Sequence, residues 1–300
     1  MFLRGIDFSK GFKGCFPCYP TEISCDHNGN YIISDIRNNI IKFFTPEGDF
    51  IRYFGEFGSE NGQLDYPEGI VCDHDGNIVV CDSGNHRIQV FTPNGDFIRS
   101  FGKNGSENGQ LDTPTGITCD HDGNIVICDT ENHRIQVFTS KGEFIRSFGN
   151  EGSEKGQFNN PEGITINKNG NYVICDTENH RIQIFSPFGE FLYSFGSIGS
   201  KEGQFRYPTS ITCDHDGNYA IIEEFKHRIH IFTSDGIFIR SFGDFGFEEN
   251  QFRYPSGISC DHNGNYVICD SNNYRIQVFK GPSEIPSLLS LCWKKIQTIG

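Results

Sequence analysis

The stretch "GNIVICDTENHRIQVF" occupies residues 123–138, and nearly the same letters return as "GNIVVCDSGNHRIQVF" at 76–91 and "GNYVICDTENHRIQIF" at 170–185. These stretches belong to a register of 47 residues that continues along the chain without slippage. Six prolines mark that register: Pro20, Pro67, Pro114, Pro161, Pro208 and Pro255. A fixed period of this size indicates a repeat architecture.

One repeat contains four short segments that are rich in Ile, Val and Phe and are separated by Gly, Asn, Asp and Pro. The segments are "GITCD" (116–120), "NIVICD" (124–129), "RIQVF" (134–138) and "FIRSFG" (144–149). This composition predicts four strands. The second segment is apolar at consecutive positions, so both of its faces must be covered. Six such units packed around an axis meet that requirement. The sequence therefore predicts an all-β, six-bladed β-propeller of four-stranded antiparallel blades, a single domain over residues 1–300 with repeats starting near 20, 67, 114, 161, 208 and 255.

Two segments compete for the outermost strand of the last blade, and that strand closes the ring. "FLRGI" (2–6) matches the fourth segment of each repeat, whereas "KIQTIG" (295–300) resembles it only after an apolar insertion that contains Trp293. We predict that the N-terminal strand completes the sixth blade, because it keeps the motif better. The C-terminal segment, residues 281–300, would then pack against that blade or meet a partner.

Composition excludes several classes of function. The formal net charge of the 300 residues is -14, which opposes non-specific binding of DNA or of an anionic membrane. The N-terminus lacks a secretory apolar run, and no segment reaches about 18 apolar residues. Most of the 12 cysteines recur inside strand segments, which predicts free thiols in a reducing, cytoplasmic setting. "CFPC" (15–18) offers only half of a zinc site, so we predict neither metal nor cofactor.

The repeat also resembles a known family. Pro-x-Gly-Ile, Asp-x-x-Gly-Asn, Asp-x-x-Asn-His-Arg-Ile-Gln-Val-Phe and Phe-x-Arg-x-Phe-Gly occur in register, and together they are similar to NHL repeats. Such propellers form the partner-binding domains of TRIM-NHL proteins, and others serve as sensor modules. The chain shows no RING, B-box or coiled-coil segment, so the resemblance implies a binding ring and does not carry over the ubiquitin-ligase activity of those relatives.

The repeated acidic and Arg residues have a structural interpretation. An acidic residue ends the second strand of a blade and Arg begins the third, so the turn brings carboxylate and guanidinium together. A buried carboxylate is costly unless it is paired and hydrogen-bonded. The predicted structural pairs are Asp82 with Arg87, Asp129 with Arg134, Asp176 with Arg181, Glu223 with Arg228 and Asp270 with Arg275. The "DHDGN" hairpins (73–77, 120–124, 214–218) fit turn chemistry better than a calcium loop.

The innermost strands give little sign of catalysis. They are almost uniform, and only Glu22 and Ser210 replace the usual Gly near the rim. No Ser-His-Asp order, phosphate loop or asymmetric carboxylate pair stands out. The sequence therefore predicts a non-catalytic scaffold, a monomeric ring that binds a protein or peptide.

Residues that depart from the repeat are the candidates for recognition, because shared positions build the ring. Aromatic residues beside Arg on the predicted top face are typical of an interaction hot spot, although each Tyr could instead anchor its loop against the following Pro. The alternative is single-stranded RNA binding on the same face, as in some TRIM-NHL proteins, against which loop glutamates count. A divergent enzyme or sensor is a third interpretation. The candidate residues are Arg37, Phe57, Tyr66, Arg206, Tyr207, Phe225, Lys226, Phe245, Arg253, Tyr254 and Tyr274.

Overall fold

A computed structural model describes residues 1–8 and 17–281. It confirms the predicted fold class, because six four-stranded antiparallel sheets form the ring. Three sequence-based interpretations lie outside the described residues: the first half of "CFPC", the competing C-terminal strand at 295–300, and the packing of Trp293. None of the described helices is long and apolar enough to cross a membrane.

The blades follow one another along the chain. The first contains β2 (Pro20–Cys25), β3 (Tyr31–Asp35), β4 (Ile40–Phe44) and β5 (Phe50–Phe54). The second contains β6 (Pro67–Cys72), β7 (Ile78–Asp82), β8 (Arg87–Phe91) and β9 (Phe97–Phe101). The third contains β10 (Pro114–Cys119), β11 (Ile125–Asp129), β12 (Arg134–Phe138) and β13 (Phe144–Phe148).

The fourth blade contains β14 (Pro161–Ile166), β15 (Tyr172–Asp176), β16 (Arg181–Phe185) and β17 (Phe191–Phe195). The fifth contains β18 (Pro208–Cys213), β19 (Tyr219–Glu223), β20 (Arg228–Phe232) and β21 (Phe238–Phe242). The sixth contains β24 (Pro255–Cys260), β25 (Tyr266–Asp270), β26 (Arg275–Phe279) and the N-terminal β1 (Phe2–Asp7). A short parallel pair, β22 (Asp244–Phe245) and β23 (Gln251–Phe252), lies between the last two blades. Short 3-10 helices follow the second strand of five blades: Ser83–Asn85, Thr130–Asn132, Thr177–Asn179, Glu224–Lys226 and Ser271–Asn273.

The N-terminal strand closes the ring, as predicted. β1 pairs antiparallel with β26, and Ile6 lies opposite Ile276. The sheet order β1-β26-β25-β24 thus joins the first residues of the chain to the last blade. β1 thus covers the outer edge of β26, which would otherwise present unpaired backbone groups.

The core lies between blades rather than at one centre. Each second strand is buried at all five positions, because its two faces pack on different neighbouring blades. Val126 and Cys128 of the third blade, for example, pack with Ile164 and Phe185 of the fourth. Burying such a side chain contributes about 1.5–3 kcal/mol. The consecutive apolar residues of the repeat therefore pack each blade against the next.

Six inner strands surround a narrow central channel. One Ile from each inner strand points into it and together they form an apolar ring: Ile23, Ile70, Ile117, Ile164, Ile211 and Ile258. Above this ring most blades carry Gly, because the strands approach closely there; a Cβ on Gly116 would lie 1.9 Å from the Glu162 carbonyl oxygen. The channel interior is a cavity of about 110 Å³, so its wider part is the mouth above the ring.

Candidate active site at the mouth of the central channel

The turn carboxylates beside the channel mouth are fully bonded. Asp82 is completely buried. It accepts hydrogen bonds from Arg87 Nε at 2.7 Å, from Gln89 Nε2 at 2.9 Å and from the Asp65 amide at 2.7 Å. Arg87 also donates to the Glu60 carbonyl at 2.8 Å, so the network ties the long inter-blade loop to the blade. The other predicted pairs have the same contact, with Nε–O distances of 2.7 or 2.8 Å: Asp129 with Arg134, Asp176 with Arg181, Glu223 with Arg228 and Asp270 with Arg275.

Two blades meet the same requirement with different residues. The first blade has Ile40 where the others have Arg, and Lys42 instead lies 2.7 Å from Asp35, with both side chains fully buried. The fifth blade uses Glu223, which accepts from Arg228 at 2.8 Å and contacts His230 Nε2 at 2.8 Å. Burial opposes ionisation of Glu223, but the hydrogen bonds from His230 and Arg228 hold its pKa below the usual range.

The "DHDGN" carboxylates are engaged in their own hairpins. Asp73 Oδ1 accepts from the amides of Asp75 and Asn77 at 2.9 and 2.8 Å, and its Oδ2 accepts from Asn77 Nδ2 at 2.9 Å. This is the turn geometry in which Asp caps local amides. Among residues 1–8 and 17–281, no group of three or more His, Cys, Asp or Glu side chains could hold a metal ion.

The acidic side chains at the channel mouth form a second and different group. Glu68 and Glu162 directly follow the first proline of β6 and β14, and Glu22 follows Thr21 in β2. Glu224 comes from the 3-10 helix of the fifth blade. All four line one cavity of about 210 Å³ together with Thr21, Thr115, Thr209 and Ser256.

Glu22 and Ser210, the two departures from Gly, contact one another. The Ser210 hydroxyl donates to Glu22 Oε2 at 3.2 Å, although 188 residues separate them in the chain. Ser210 is buried and its Oγ accepts from the Ile258 amide at 3.3 Å. Burial raises the pKa of Glu22 to about 8, against the hydrogen bonds from the Ile23 amide and Ser210, which lower it.

Glu68 and Glu162 have no such support, since neither carboxylate accepts a hydrogen bond from the described residues. Burial raises the pKa of Glu68 to about 7, and repulsion by Glu224 adds to the shift. Burial raises the pKa of Glu162 to about 8, with further repulsion from Glu68, Glu224 and Glu178. Burial also raises the pKa of Glu224. Carboxyls with such pKa values exchange protons near neutral pH and are typical of acid–base sites.

Glu224 occupies a position that is structural in other blades. There a Ser or Thr hydroxyl donates to the carbonyl of the first proline of the next blade: Ser83 to Pro114, Thr130 to Pro161, Thr177 to Pro208 and Ser271 to Pro20. Glu224 has no hydroxyl with which to make this hydrogen bond, and its side chain lines the cavity instead.

A second cavity of about 530 Å³ adjoins the mouth between the fourth and fifth blades, and we call it the side pocket. Glu162, Thr209 and Glu224 line both cavities. The remaining lining residues of the side pocket are Thr177, Glu178, Tyr207 and Phe225.

The structure brings together some of the predicted recognition residues. Phe225 lies between Tyr207 and Tyr254, with ring centroids 5.5 and 6.1 Å apart. Phe245 packs on His227, and the Arg253 guanidinium lies 5.0 Å from the Phe247 ring. Four other predicted residues make no side-chain hydrogen bond or ring contact with this cluster among the described residues: Arg206, Lys226, Phe57 and Tyr66. Phe57 and Tyr66 are 69% and 59% exposed.

Other predicted recognition residues stabilise loops or the ring seam, which is where the sixth blade meets the first. The Tyr207 and Tyr254 amides donate to His180 Nδ1 and His227 Nδ1 at 3.2 and 3.1 Å, and the Tyr66 amide donates to Asn39 Oδ1 at 2.9 Å. At the seam, Arg37 Nη1 donates to the Tyr274 hydroxyl at 2.9 Å. The Arg37 guanidinium also lies 4.4 Å from the Tyr19 ring centroid.

Comparison with known proteins supports the repeat assignment. The NHL repeat family matches residues 64–91, 111–138, 158–185 and 252–279. The chain carries NHL repeats. No curated protein matches the sequence significantly.

Solved structures share the propeller. A streptogramin B lyase is 17% identical, with a TM-score of 0.62 over 92% of this chain and 96% of that one. Virginiamycin B lyase from Staphylococcus aureus is 18% identical, with a TM-score of 0.62 over 92% of this chain and 87% of that one. A gluconolactonase from Xanthomonas campestris is 13% identical, with a TM-score of 0.66 over 88% of this chain and 86% of that one. At these identities the likeness shows the fold alone.

These findings correct the functional prediction. Solved enzymes of the same propeller fold contradict two predictions, the non-catalytic protein- or peptide-binding scaffold and the absence of enzymatic activity, and they do not favour the RNA-binding alternative. The physical reason for the error lies at the mouth. The sequence offered no asymmetric carboxylate pair because Glu22, Glu68, Glu162 and Glu224 come from four repeats and three different repeat positions. Only the ring brings them to one cavity. Glu22 stands where four other blades have Gly, and Glu224 stands where four other blades have Ser or Thr. These two departures are the signal that could have found them.

Proposed function

We propose that the chain is an enzyme that opens a lactone by general acid–base catalysis at the mouth of the central channel. The observation that carries the proposal is the pair Glu68 and Glu162, whose carboxyls face one cavity without hydrogen bonds from the described residues and have pKa values raised to about 7 and 8. Lactone opening is the reaction named for one of the solved propellers, and a lyase reaction also requires proton transfer. The reactions named for these solved propellers support the reaction class, and the positions of Glu68 and Glu162 support a site at the channel mouth.

Glu68 and Glu162 would divide the work according to their pKa values. Glu68, with the lower value, accepts a proton from a water molecule as the water oxygen attacks the lactone carbonyl carbon. Glu162, still protonated at neutral pH, donates its proton to the ring oxygen as the acyl carbon–oxygen bond breaks. The product is a hydroxy acid, and proton exchange with solvent resets both carboxyls. General acid and base groups of this kind contribute about 10²–10⁴-fold each.

The surroundings of the mouth suit this chemistry. The Ile ring gives the narrow channel below the mouth an apolar lining. The Thr209 hydroxyl lines the cavity and has no hydrogen-bond partner among the described residues, so it is the hydroxyl that can orient water there. Glu22, held by Ser210, adds a third protonated carboxyl at neutral pH. Electrostatic interactions are strengthened where water is excluded.

Ring opening of glucono-δ-lactone and of α-amino-γ-butyrolactone, followed by proton release, tests the proposal. We expect the protein to accelerate at least one of them over buffer. Glu68→Gln and Glu162→Gln should each lose about 100-fold or more, while Glu131→Gln, an exposed glutamate of the third blade, should keep the full rate. The rate should rise as pH passes about 7, when Glu68 loses its proton, and fall above about 8, when Glu162 loses its own.

Two results would overturn it. One is a protein that opens neither lactone faster than buffer does. The other is a double variant, Glu68→Gln with Glu162→Gln, that melts like the parent at pH 5 and retains the parent rate.

Three finer sequence-based interpretations remain predictions beside this proposal. They are the specific resemblance to TRIM-NHL proteins, the cytoplasmic location and the monomeric ring. A lactone-opening activity is compatible with each of them and depends on none.

A further inference from the structure

The side pocket has an unusual combination of lining groups. Glu162, Glu178 and Glu224 provide carboxylates, and Tyr207 and Phe225 provide aromatic rings. No Lys or Arg is among the described lining residues. Arg206 and Lys226 are their neighbours in the chain, but neither lines the pocket. The pocket therefore repels anions and attracts cations at close range.

The carboxylates of the pocket have no protein partner that would explain them. Glu162 is largely enclosed and faces both cavities, yet its carboxylate accepts no hydrogen bond from the described residues. Glu224 replaces the hydroxyl that fastens four other blades, so its presence costs the ring a hydrogen bond. Glu162 is protonated at neutral pH in the proposed reaction, so the negative charge of the pocket comes from Glu178 and Glu224. Because Glu224 is retained at some cost to the fold, it indicates that a ligand supplies the missing positive charge.

The rings provide an independent second observation. Phe225 is 55% exposed, and the corresponding residues of other blades are Arg37, Gly84, Glu131, Glu178 and Asn272. Its ring meets that of Tyr207 edge-on, with centroids 5.5 Å apart. Tyr207 in turn meets His180 edge-on at 4.7 Å. A cation over the face of such rings is attracted by their quadrupole, and quaternary ammonium groups are recognised in this way.

We infer that the side pocket binds an organic cation, and that the ammonium group of the substrate lies between Glu178, Glu224 and the rings of Tyr207 and Phe225. The inference rests on the proposed function in naming this cation as the substrate, because Glu162 lines both the pocket and the mouth. The binding itself does not depend on catalysis. A reactive carbonyl attached to such a cation would lie toward Glu68 and Glu162.

Choline and 3,3-dimethylbutan-1-ol provide a matched pair of probes, since they share a shape and differ in the positive charge. Their binding is measured by ligand-observed NMR titration at constant ionic strength. We expect choline to bind at least tenfold more tightly than the neutral alcohol. Phe225→Ala and Glu178→Gln should each weaken choline at least threefold, and Glu178→Gln should leave the alcohol unchanged. Both residues are exposed, so these variants are expected to fold.

Two matched variants serve as controls. Phe188→Ala removes a Phe that is 78% exposed in the turn between β16 and β17, and Glu131→Gln removes the counterpart of Glu178 in the third blade. Both should bind choline like the parent. The inference is overturned if choline binds no more tightly than the alcohol, or if Phe225→Ala and Phe188→Ala bind it equally.

Failure of this inference and failure of the proposed function are distinguishable, because choline has no bond for the enzyme to open. Lactone turnover without a preference for choline would overturn the cation-binding inference but not the proposed enzymatic activity. Choline binding that depends on Phe225, in a protein that opens no lactone, would support the cation site and overturn the proposed reaction.

Discussion

The turns beside each blade and the mouth of the channel both hold buried carboxylates, but they treat them differently. Asp82 accepts hydrogen bonds from Arg87, Gln89 and a loop amide within 2.7–2.9 Å. Glu68 and Glu162 accept none from the described residues, and burial raises their pKa values to about 7 and 8. The same chemical group is thus a hydrogen-bonded structural element in one place and, in our proposal, a proton donor or acceptor in the other.

The difference shows how a repeat protein separates stability from chemistry. The turn carboxylates recur in every blade together with a cation, even where the cation changes from Arg87 to Lys42. The mouth carboxylates occur in only some blades: Glu68 and Glu162 share one repeat position, and Glu22 and Glu224 each stand at another. Where they appear they replace Gly or Ser and Thr, and they lose the contacts those residues make. Partnered buried charges hold a fold together, whereas unpartnered ones are costly and persist where they perform a function.

Breaking a turn pair should have the largest effect. Arg134→Ala leaves Asp129 buried and without its cation, which costs about 3–5 kcal/mol and lowers Tm by about 10 °C in thermal melts. The exposed Lys141 lies in the same blade, and Lys141→Ala is the control. Equal melting temperatures for the two variants would mean that the pair does not stabilise the blade.

The first blade tests whether the cation or its position matters. Lys42→Gln leaves Asp35 without a positive partner and should destabilise by about 3 kcal/mol. Adding Ile40→Arg recreates the Arg and Gln of the other blades, so the double variant should recover to within about 1 kcal/mol of the parent. The measurement is a double-mutant cycle of urea unfolding. A double variant no more stable than Lys42→Gln would show that the blades do not share one rule.

The mouth carboxylates should change stability with pH in the opposite sense to paired ones. Burial raises the folded pKa of Glu162 above that of the unfolded chain, so its ionisation costs stability as pH rises from about 4.5 to about 8. Glu162→Gln should therefore melt like the parent at pH 4 and a few degrees above it at pH 9, a gain of about 1–3 kcal/mol. Glu131→Gln, which alters an exposed carboxylate, should show no such pH-dependent gain. A Glu162→Gln protein that melts below the parent at pH 9 would contradict the sign.

The smallest expected effect concerns Glu224, which stands where four other blades have a Ser or Thr that hydrogen-bonds to the next blade. Glu224→Thr should restore the hydroxyl contact that Thr130 makes with Pro161 and stabilise by about 1 kcal/mol, raising Tm by a few degrees at pH 7. The same variant should bind choline more weakly. Glu178→Thr introduces a hydroxyl at the next position of the turn in the fourth blade and should not raise Tm. A Glu224→Thr protein that melts below the parent would show that Glu224 itself supports the fold.

Much of the architecture could be predicted because it is written in every repeat. The 47-residue spacing of the prolines, the doubly covered second strand and the match of residues 2–6 to the fourth strand predict six blades and their closure. Each of these signals concerns neighbours in sequence or in the repeat register. The pairing of Lys42 with Asp35 was missed because the cation moved from the Arg position to the Gln position of the same strand.

The candidate site could not be predicted in the same way. Glu22 and Ser210 are recognisable in the sequence as departures from Gly, but their contact spans 188 residues and is absent from any local pattern. Glu68 and Glu162 resemble ordinary polar residues at the start of a strand. Their pKa values depend on burial and on the charges of other glutamates nearby, and both arise only once the blades have closed.

The sequence by itself determined the number of blades, the strands within each and the paired charges at their turns, because these follow from short-range hydrogen bonding and from apolar residues that repeat. The tertiary structure alone decided which of the irregular residues share a cavity. Closing the ring sets inner strands from distant repeats around one axis, and burial there raises the pKa values of glutamates that are far apart in the sequence.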